Sequence, residues 1–321
     1  MTSRPPRRSS STFRRPSSRS ALRQAEAVPV RLGLALGGGG ARGLAHIHVL
    51  EALDDLGIKP VRITGSSIGA IIGAGYAGGM AARDIRAYML DCFTSPRIVI
   101  GRLWQTRPVS LQEFLSDGGF RIGQLNARRV IMAFMPPDVP LTFAELKIPL
   151  GVMATDFYAR TELELHSGDL RSAIAASAAI PAIFRPVRRD GRLLVDGGIY
   201  NPLPFDRLKG TADFIVAVDV NGGPDGDVNR MPTPMQAMIG ASQLTMQSII
   251  DLKVRISPPD LLFRPAVSAY GVLDFMRSHE ILMATEGLRD EAKRAIEHQL
   301  ESRLKGRGGA GRISAAASPS Q

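Results

Sequence analysis

Short apolar runs of strand length alternate with longer segments of helical periodicity along most of this chain. Residues 30–36 and 61–64 are apolar runs, and leucine and isoleucine recur at helical spacing over residues 44–56 between them. Because a second apolar helix follows the second run, the order is strand, helix, strand, helix. This order predicts a three-layer α/β/α fold, in which helices cover both faces of a mainly parallel central sheet.

The same alternation continues through the rest of the body. Helical patterns predict a small-residue helix that begins after Asp169 and a final amphipathic helix over residues 281–304. Residues 92–140 contain several prolines and show no clear period, so we interpret them as an inserted cap region. Further apolar runs predict strands at residues 149–154, 163–166, 193–195 and 214–220.

Composition and charge indicate a globular body with basic ends. The chain has 321 residues, of which 44% are hydrophobic and 22% charged, and its formal net charge is +10. Residues 1–30 carry seven arginines against one glutamate, and residues 303–321 carry four basic residues, so the part between them is neutral. A neutral body argues against specific nucleic-acid binding. We expect one folded domain over residues 29–302, with disordered tails at 1–28 and 303–321.

Several features bear on location. The basic tails suggest peripheral contact with an anionic membrane surface. The N-terminus lacks the apolar segment of a secretory signal, and the charge-free residues 63–82 contain six glycines, which argues against a transmembrane helix. The single cysteine, Cys92, excludes an intrachain disulfide. Together these features predict a cytoplasmic protein that associates at most peripherally with the inner face of a membrane.

A Gly65-x-Ser67-x-Gly69 sequence stands at the junction of the second strand and its helix. A sharp strand-to-helix turn needs glycines on both sides of the serine, because side chains there would clash. Such a turn exposes the serine oxygen at a helix N-terminus, where the helix dipole favours developing negative charge. A plain glycine-serine turn is the competing interpretation, but the flanking strand and helix favour a nucleophile elbow with Ser67 as the nucleophile.

Four consecutive glycines, residues 37–40, follow the first strand and precede Arg42 and Gly43. Glycines let backbone N–H groups converge and the next helix adds its dipole, so this loop can hold an oxyanion or a phosphate. Gly38, Gly40 and Gly43 also match a dinucleotide fingerprint, but the acidic residue expected at the end of the second strand is missing. Arg42 is interpreted either as a solvated cation or as a group that steadies an anionic substrate.

Asp196 precedes two glycines at the end of another predicted strand. An aspartate in such a turn can simply satisfy backbone donors. Alternatively, it can take the proton from Ser67, provided that it is partly desolvated and within hydrogen-bond reach. All three loops follow strands, and sites in open parallel sheets collect at the carboxyl ends of strands. This shared placement favours a functional role for all three loops.

The glycine-rich loop with Arg42, the serine turn and the Asp196-Gly197-Gly198 turn occur in the order that resembles the patatin-like phospholipase family. The resemblance covers roughly residues 30–220 and is to the bacterial one-domain kind, which is related to the catalytic domain of neuropathy target esterase. It implies hydrolysis of lipid acyl esters by a Ser67–Asp196 dyad, without a metal or organic cofactor. It also implies an oxyanion hole built from the N–H groups of Gly38, Gly39 and Gly40.

Two other functions stay open at this point. An α/β-hydrolase triad requires a histidine after Asp196 in the chain; His279 and His298 qualify by position, but both fall in predicted helices and not in strand-end loops. A non-enzymatic module that binds a nucleotide or phosphoinositide would use the glycine-rich loop and the basic tails. That alternative leaves the placement of Ser67 and Asp196 without a reason.

Overall fold

The computed structural model describes residues 30–104, 106, 125–227 and 229–314, so the predicted N-terminal tail, the middle of the predicted cap region and the last seven residues lie outside the described residues. Eight strands form one sheet in this part of the chain. They are β1 (Leu32–Leu36), β2 (Arg62–Ser66), β3 (Leu150–Asp156), β4 (Thr161–Leu165), β5 (Val187–Arg189), β6 (Arg192–Asp196), β7 (Phe214–Val218) and β8 (Leu261–Phe263).

The strand order is β5-β6-β3-β2-β1-β7-β8, with β4 paired to β3. The strands from β3 to β8 along this order are parallel neighbours, whereas β4, β5 and β6 are antiparallel to their partners. None of the helices described is long and apolar enough to cross a bilayer. They are α1 (His46–Asp55), α2 (Ile68–Gly78), α3 (Ala82–Cys92), α4 (Pro96–Trp104), α5 (Ala127–Phe134), α6 (Leu170–Ser177), α7 (Pro234–Ile256), α8 (Ser278–Ala284) and α9 (Gly287–Ser314).

Two hydrophobic cores lie on opposite faces of the sheet. Alternate residues of β1 enter different cores, Leu34 the larger and Ala35 the smaller. Helices α1, α2 and α9 contribute to the larger core, whereas α7, through Ile250, and a 3-10 helix at Phe205–Leu208 cover the smaller one. The predicted three-layer α/β/α fold is therefore confirmed. Burial on both faces also explains why the central strands read as continuous apolar runs.

β3 brings two other strands together end to end. β2 runs parallel to β3 until Ser66 lies opposite Met153, and β6 runs antiparallel to β3 until Asp196 lies opposite Ala154. β4 pairs with the opposite edge of β3 alongside both of them, so β2 and β6 share one edge. Because they run toward each other along that edge, their carboxyl ends meet. Ser67, the residue after β2, is thereby brought to Asp196.

The C-terminal boundary differs from the sequence-based expectation. The predicted last helix is interrupted at Thr285, and α9 continues to Ser314, where the sequence predicts a disordered tail from residue 303. Arg303 gives the reason, because its Nη1 donates to the carbonyl oxygen of Asp213 at 2.6 Å and its Nη2 contacts the carboxylate of Asp260. These contacts hold the helix against the strands at one end of the sheet.

Candidate active site

Ser67 occupies a tight turn between β2 and α2. Its φ of 53° and ψ of −121° are unusual for a residue with a side chain, and they turn the serine sharply away from the strand. The flanking glycines are sterically required: a Cβ at Gly65 would lie 2.7 Å from the nitrogen of Ala70, and one at Gly69 would lie 2.2 Å from the carbonyl oxygen of Leu36. The side chain of Ser67 lines a cavity.

Asp196 is buried and held by its own turn. The N–H of Gly198 donates to Oδ1 at 2.7 Å, and the hydroxyl of Thr155 donates to the Asp196 carbonyl at 2.9 Å. Among the described residues no donor meets hydrogen-bond geometry at Oδ2, although the Ser67 hydroxyl lies near enough to stabilise the ionised form. The carboxylate is thus fixed through Oδ1, while Oδ2 has no partner among the described residues.

Burial raises the pKa of Asp196 to about 6, against the opposing effects of the Ser67 hydroxyl and the Gly198 N–H. An aspartate in water would be ionised at neutral pH but would be a weak base. A carboxylate with a pKa near 6 stays largely ionised at neutral pH and accepts a proton more readily. The site therefore holds a serine beside a carboxylate that is tuned toward general-base chemistry.

We expect this pKa to appear in the pH dependence of catalysis. Because the base must be ionised, kcat/KM for a soluble ester should be level above about pH 7 and fall about tenfold per unit below about pH 6. Burial lowers the pKa of the nearby His46 to about 4, so that histidine stays neutral across this range and does not contribute. Stopped assays in constant-ionic-strength buffers would measure the profile. A rate that is unchanged down to about pH 5 would contradict Asp196 as the base.

The three glycines that are predicted to form the oxyanion hole differ in their backbone hydrogen bonds. The N–H of Gly38, one of the three predicted oxyanion donors, donates to the carbonyl of Pro202 at 2.9 Å and is therefore already engaged. For Gly39 and Gly40, no acceptor is found within the described part of the chain, and both line the cavity with Ser67. Gly40 has a φ of +60°, and a Cβ there would lie 2.1 Å from the Val272 carbonyl oxygen.

The structure places Arg42 neither in solvent, as a solvated cation would be, nor in the cavity, where it would contact an anionic substrate. It is only 3% exposed, and its Nε donates to the carbonyl oxygen of Tyr270 at 2.6 Å. With the Gln243 amide oriented so that its oxygen faces the guanidinium, that oxygen accepts from Nη1 at 2.6 Å. Arg42 therefore links the glycine-rich loop to Tyr270 and Gln243 by hydrogen bonds, and it is not among the residues that line the cavity. Gly43 is likewise a packing position, since a Cβ there would lie 2.3 Å from Ile68 Cγ2.

A segment that sequence reasoning did not assign a role, residues 201–204, joins the loops of the site. The hydroxyl of Ser66 donates to the Asn201 carbonyl at 2.5 Å, and the hydroxyl of Thr64 donates to the Pro204 carbonyl at 2.9 Å. The bond from Gly38 to Pro202 ties the glycine-rich loop to the same segment. Lys253 of α7 donates to Asn201 Oδ1 at 2.5 Å and anchors it. Three of these four bonds are accepted by backbone carbonyl oxygens, which every residue has, so no side-chain pattern predicts them.

The histidines do not complete a triad. His46 and His48 are buried, and their Nε2 atoms lie 2.9 Å from the Gly37 carbonyl oxygen and 3.0 Å from that of Leu282. His279 and His298 are exposed on α8 and α9. No imidazole is among the described residues that line the two cavities at Ser67. Nor do the described residues include a group of three metal-ligating side chains placed to hold an ion.

Two cavities meet at the nucleophile. One, of about 110 Å³, contains Ser67, Asp196 and the glycine-rich loop, and its outer wall is Met238 and Met246 of α7. The other, of about 300 Å³, extends away under the helices on the larger-core side. The residues that line both are Gly40, Ser67, Ile180 and Val272.

Part of the wall of the larger cavity comes from residues 92–140, the region in which the sequence shows no clear pattern. Val99 and Leu103 of α4 and Val130, Ile131 and Phe134 of α5 line it. No charged side chain is among its lining residues. Residues 92–140 therefore contribute walls to the site where they are described. An uncharged cavity that begins at a serine fits a hydrocarbon chain and does not fit a nucleotide phosphate.

Sequence comparison places these features in a family. A sequence model described as patatin-like phospholipase matches residues 34–209. An uncharacterized NTE family protein of Mycobacterium tuberculosis is 38% identical over 244 residues, which cover 72% of this chain and 63% of that protein. Lysophospholipase NTE1 of Coccidioides immitis is 30% identical over 306 residues, which cover 85% of this chain and 19% of that protein. The chain thus spans less than two thirds of the length of these relatives.

Among solved structures, human GIVD cytosolic phospholipase A2 in complex with methyl gamma-linolenyl fluorophosphonate is similar at 13% sequence identity. The TM-score is 0.44, and the match covers 88% of this chain and 60% of that one. The family-model match is the stronger finding, because it spans more than half of the chain and includes all three loops of the site. The chain belongs to the patatin-like phospholipase family.

Proposed function

We propose that this protein hydrolyses lipid acyl esters, with Ser67 as the nucleophile and Asp196 as the base. The observation that carries the proposal is the meeting of these two side chains, on the converging ends of β2 and β6, at the start of an uncharged cavity of about 300 Å³. Family membership supports the same reaction class. The mechanism follows from the geometry.

In the first step, the Ser67 oxygen attacks the ester carbonyl carbon while Asp196 Oδ2 accepts the hydroxyl proton. The carbonyl oxygen becomes an oxyanion, which the N–H groups of Gly39 and Gly40 stabilise. The bond from the carbonyl carbon to the leaving alkoxy oxygen then breaks. The proton on Asp196 passes to that oxygen, so an alcohol or lysolipid leaves and the acyl group stays on Ser67.

In the second step, water replaces the leaving group. Asp196, ionised again, takes a proton from the water while the water oxygen attacks the acyl carbon. The N–H groups of Gly39 and Gly40 stabilise the second oxyanion. The bond to the Ser67 oxygen breaks and the serine recovers the proton. A fatty acid is released and the site returns to its starting state. Atoms and charges balance within the dyad.

The cavities suggest how the substrate is divided. Apart from Ser67, an acyl chain in the larger cavity meets only apolar side chains, and each buried methylene contributes about 0.8 kcal/mol. The leaving group then faces the smaller cavity, which contains Asp196 and polar side chains from α7 such as Ser242. This division supports a phospholipase or lysophospholipase type of ester hydrolase, in line with the name of the fungal relative.

A fluorophosphonate probe tests the proposal, because it reacts covalently with an activated serine. We expect wild-type protein to be labelled and Ser67→Ala protein to be unlabelled. Ser242→Ala is the matched control, since it removes a second hydroxyl that lines the same cavity but is not the proposed nucleophile, and its labelling should equal that of the wild type. Labelling that persists in Ser67→Ala would refute the nucleophile. Wild-type protein that takes up no probe would refute the proposed function.

A further inference from the structure

Exposed apolar side chains surround the active-site end of the molecule. Residues at turns and helix starts on a protein surface are usually polar, yet here several are large and apolar. Tyr158 is 74% exposed and Met231 is 94% exposed. We define the apolar rim as Phe157, Tyr158, Tyr200, Met231, Met235 and Met238, all of which are exposed.

The rim residues come from three connections that follow strands. Phe157 and Tyr158 form the turn after β3, Tyr200 follows the turn at the end of β6, and the methionines lie between β7 and the first turn of α7 or just inside that helix. The carboxyl end of β3 lies at the same end of the sheet as that of β2, where Ser67 lies, because these strands are parallel. The rim therefore belongs to the end of the sheet at which the site opens.

Contacts link the rim to the mouth of the smaller cavity, by which we mean the part of its wall at Ile199 and Met238. The hydroxyl of Tyr200 donates to the Arg160 carbonyl at 2.6 Å, which fastens it to the turn that carries Phe157 and Tyr158. Ile199, the neighbour of Tyr200, lines the smaller cavity. Met238 lines the same cavity and is 45% exposed, so one side chain belongs to both the cavity wall and the outer surface. Met238 and the Tyr200 turn thus connect the rim to the smaller cavity.

The larger cavity has a similar border. Leu273 and Met276 line it and are 53% and 45% exposed. They follow Val272, which lines both cavities. Exposed apolar side chains consequently border both cavities, which is the arrangement expected where an apolar ligand passes between the cavity and an apolar surface outside.

We propose that the apolar rim docks on a lipid surface and presents the cavity mouth to it, an inference that rests on the proposed function. A protein partner on the same surface would close the mouth, whereas a lipid layer covers it and supplies the substrate. Tyrosine suits this boundary, because its ring is apolar and its hydroxyl can stay in the hydrated headgroup region. The six rim side chains are uncharged, although Arg160 and Arg230 are exposed next to them in the chain. Because the proposed contact is made by the apolar side chains, we expect docking on uncharged lipid as well.

The experiment measures binding to vesicles of pure phosphatidylcholine by sedimentation, together with hydrolysis of a water-soluble short-chain ester. Tyr158→Glu and Met231→Glu each place a charge in the rim without touching the residues that line the cavities. Ile256→Glu is the matched control: Ile256 is 74% exposed, like Tyr158, but it ends α7 at the opposite end of the sheet. The full chain is used throughout.

We expect each rim variant to bind the vesicles about tenfold more weakly, equivalent to about 1.4 kcal/mol, while Ile256→Glu binds as the wild type does. Rates on the soluble ester should stay within about twofold in all three variants, because the dyad is unchanged. Equal weakening by Ile256→Glu would overturn the proposal. So would a concentration-dependent dimer that Tyr158→Glu abolishes, since the rim would then bind a second copy.

The two proposals fail in different ways. Wild-type protein that reacts with the fluorophosphonate probe but does not bind phosphatidylcholine vesicles would overturn the docking surface and leave the hydrolase standing. Protein that binds the vesicles through the rim but never reacts with the probe would refute the hydrolase and leave the surface standing. Binding that appears only on anionic vesicles, and equally in both rim variants, would also overturn the rim, because the basic tails would then be the attachment.

Discussion

Replacing Ser67 with alanine is expected to lower kcat/KM for a long-chain ester by about 10³-fold or more, because the covalent route is lost while binding in the cavity is kept. The loss should fall on kcat, since the apolar walls that bind the acyl chain are not altered. The fold should be retained, because alanine adds no atoms to a turn whose neighbours already fit closely. Steady-state kinetics and a thermal unfolding curve would measure both.

Ser242→Ala again provides the comparison, because it removes a different hydroxyl from the same cavity. Its kcat/KM should remain within a few-fold of the wild-type value. If Ser67→Ala retained a tenth or more of the wild-type rate, a different nucleophile would be at work. If Ser67→Ala showed no thermal unfolding transition, we would conclude that the fold of the turn requires the Ser67 hydroxyl.

Replacing Asp196 with asparagine is expected to have opposite effects on activity and stability. Activity should fall about 10³-fold, because an amide cannot accept the serine proton. Stability should rise at neutral pH, because burial raises the pKa of this carboxyl from 3.8 to about 6 and so penalises the ionised form. That difference corresponds to an upper limit of roughly 3 kcal/mol above about pH 7. Asparagine keeps an acceptor for the Gly198 N–H.

The sign of this effect is open to direct measurement by urea unfolding at several pH values. With a folded pKa above the unfolded one, the contribution of Asp196 to stability is most favourable below about pH 4 and is lost as pH rises through about 6. The variant should therefore gain on the wild type between about pH 4 and pH 7. Asp190→Asn, which makes the same substitution at an exposed turn, is the matched control and should change stability only slightly. A variant that is less stable at every pH would assign Asp196 a structural role.

The opposite effects on activity and stability mean that the ionised Asp196 lowers the stability of the fold while it serves as the base. A buried carboxylate with an oxygen that lacks a partner among the described residues weakens the fold, and the same lack of solvation makes it a better base. Arg42 is also buried, and burial lowers its pKa, but its guanidinium donates to the carbonyl oxygen of Tyr270 and to the side-chain oxygen of Gln243. Arg42 and Asp196 therefore have different roles: Arg42 supports the glycine-rich loop, and Asp196 is the proposed base for the nucleophile.

The cavity and the cap region show where sequence patterns stop being informative. The walls contributed by α4 and α5 are ordinary valine, leucine, isoleucine and phenylalanine, which read as core residues in any helix. Only their arrangement around an empty volume distinguishes them from core. Residues 201–204 are similar, because their contribution to the site is made by carbonyl oxygens that every residue possesses. No periodicity or composition encodes such contacts.

The sequence alone determined the local geometry of the site. The alternation of apolar runs and helical spacing predicted the layered sheet, because strands buried on both faces must be apolar throughout. The glycines beside Ser67 and in the loop at residues 37–40 predicted close backbone approaches, since a Cβ at Gly69 or Gly39 would overlap a carbonyl oxygen. These features depend on residues near one another in the chain, so a sequence pattern can carry them.

The tertiary structure alone decided which of those groups act together. Gly38 looks identical to Gly39 and Gly40 in sequence, yet its N–H is taken by Pro202, from a distant segment. The base and the nucleophile come together only because β2 and β6 pair with the same edge of β3 in opposite directions. Strand order and hydrogen-bond partners depend on contacts between segments far apart in the chain, and such contacts leave no mark on the local pattern of either segment.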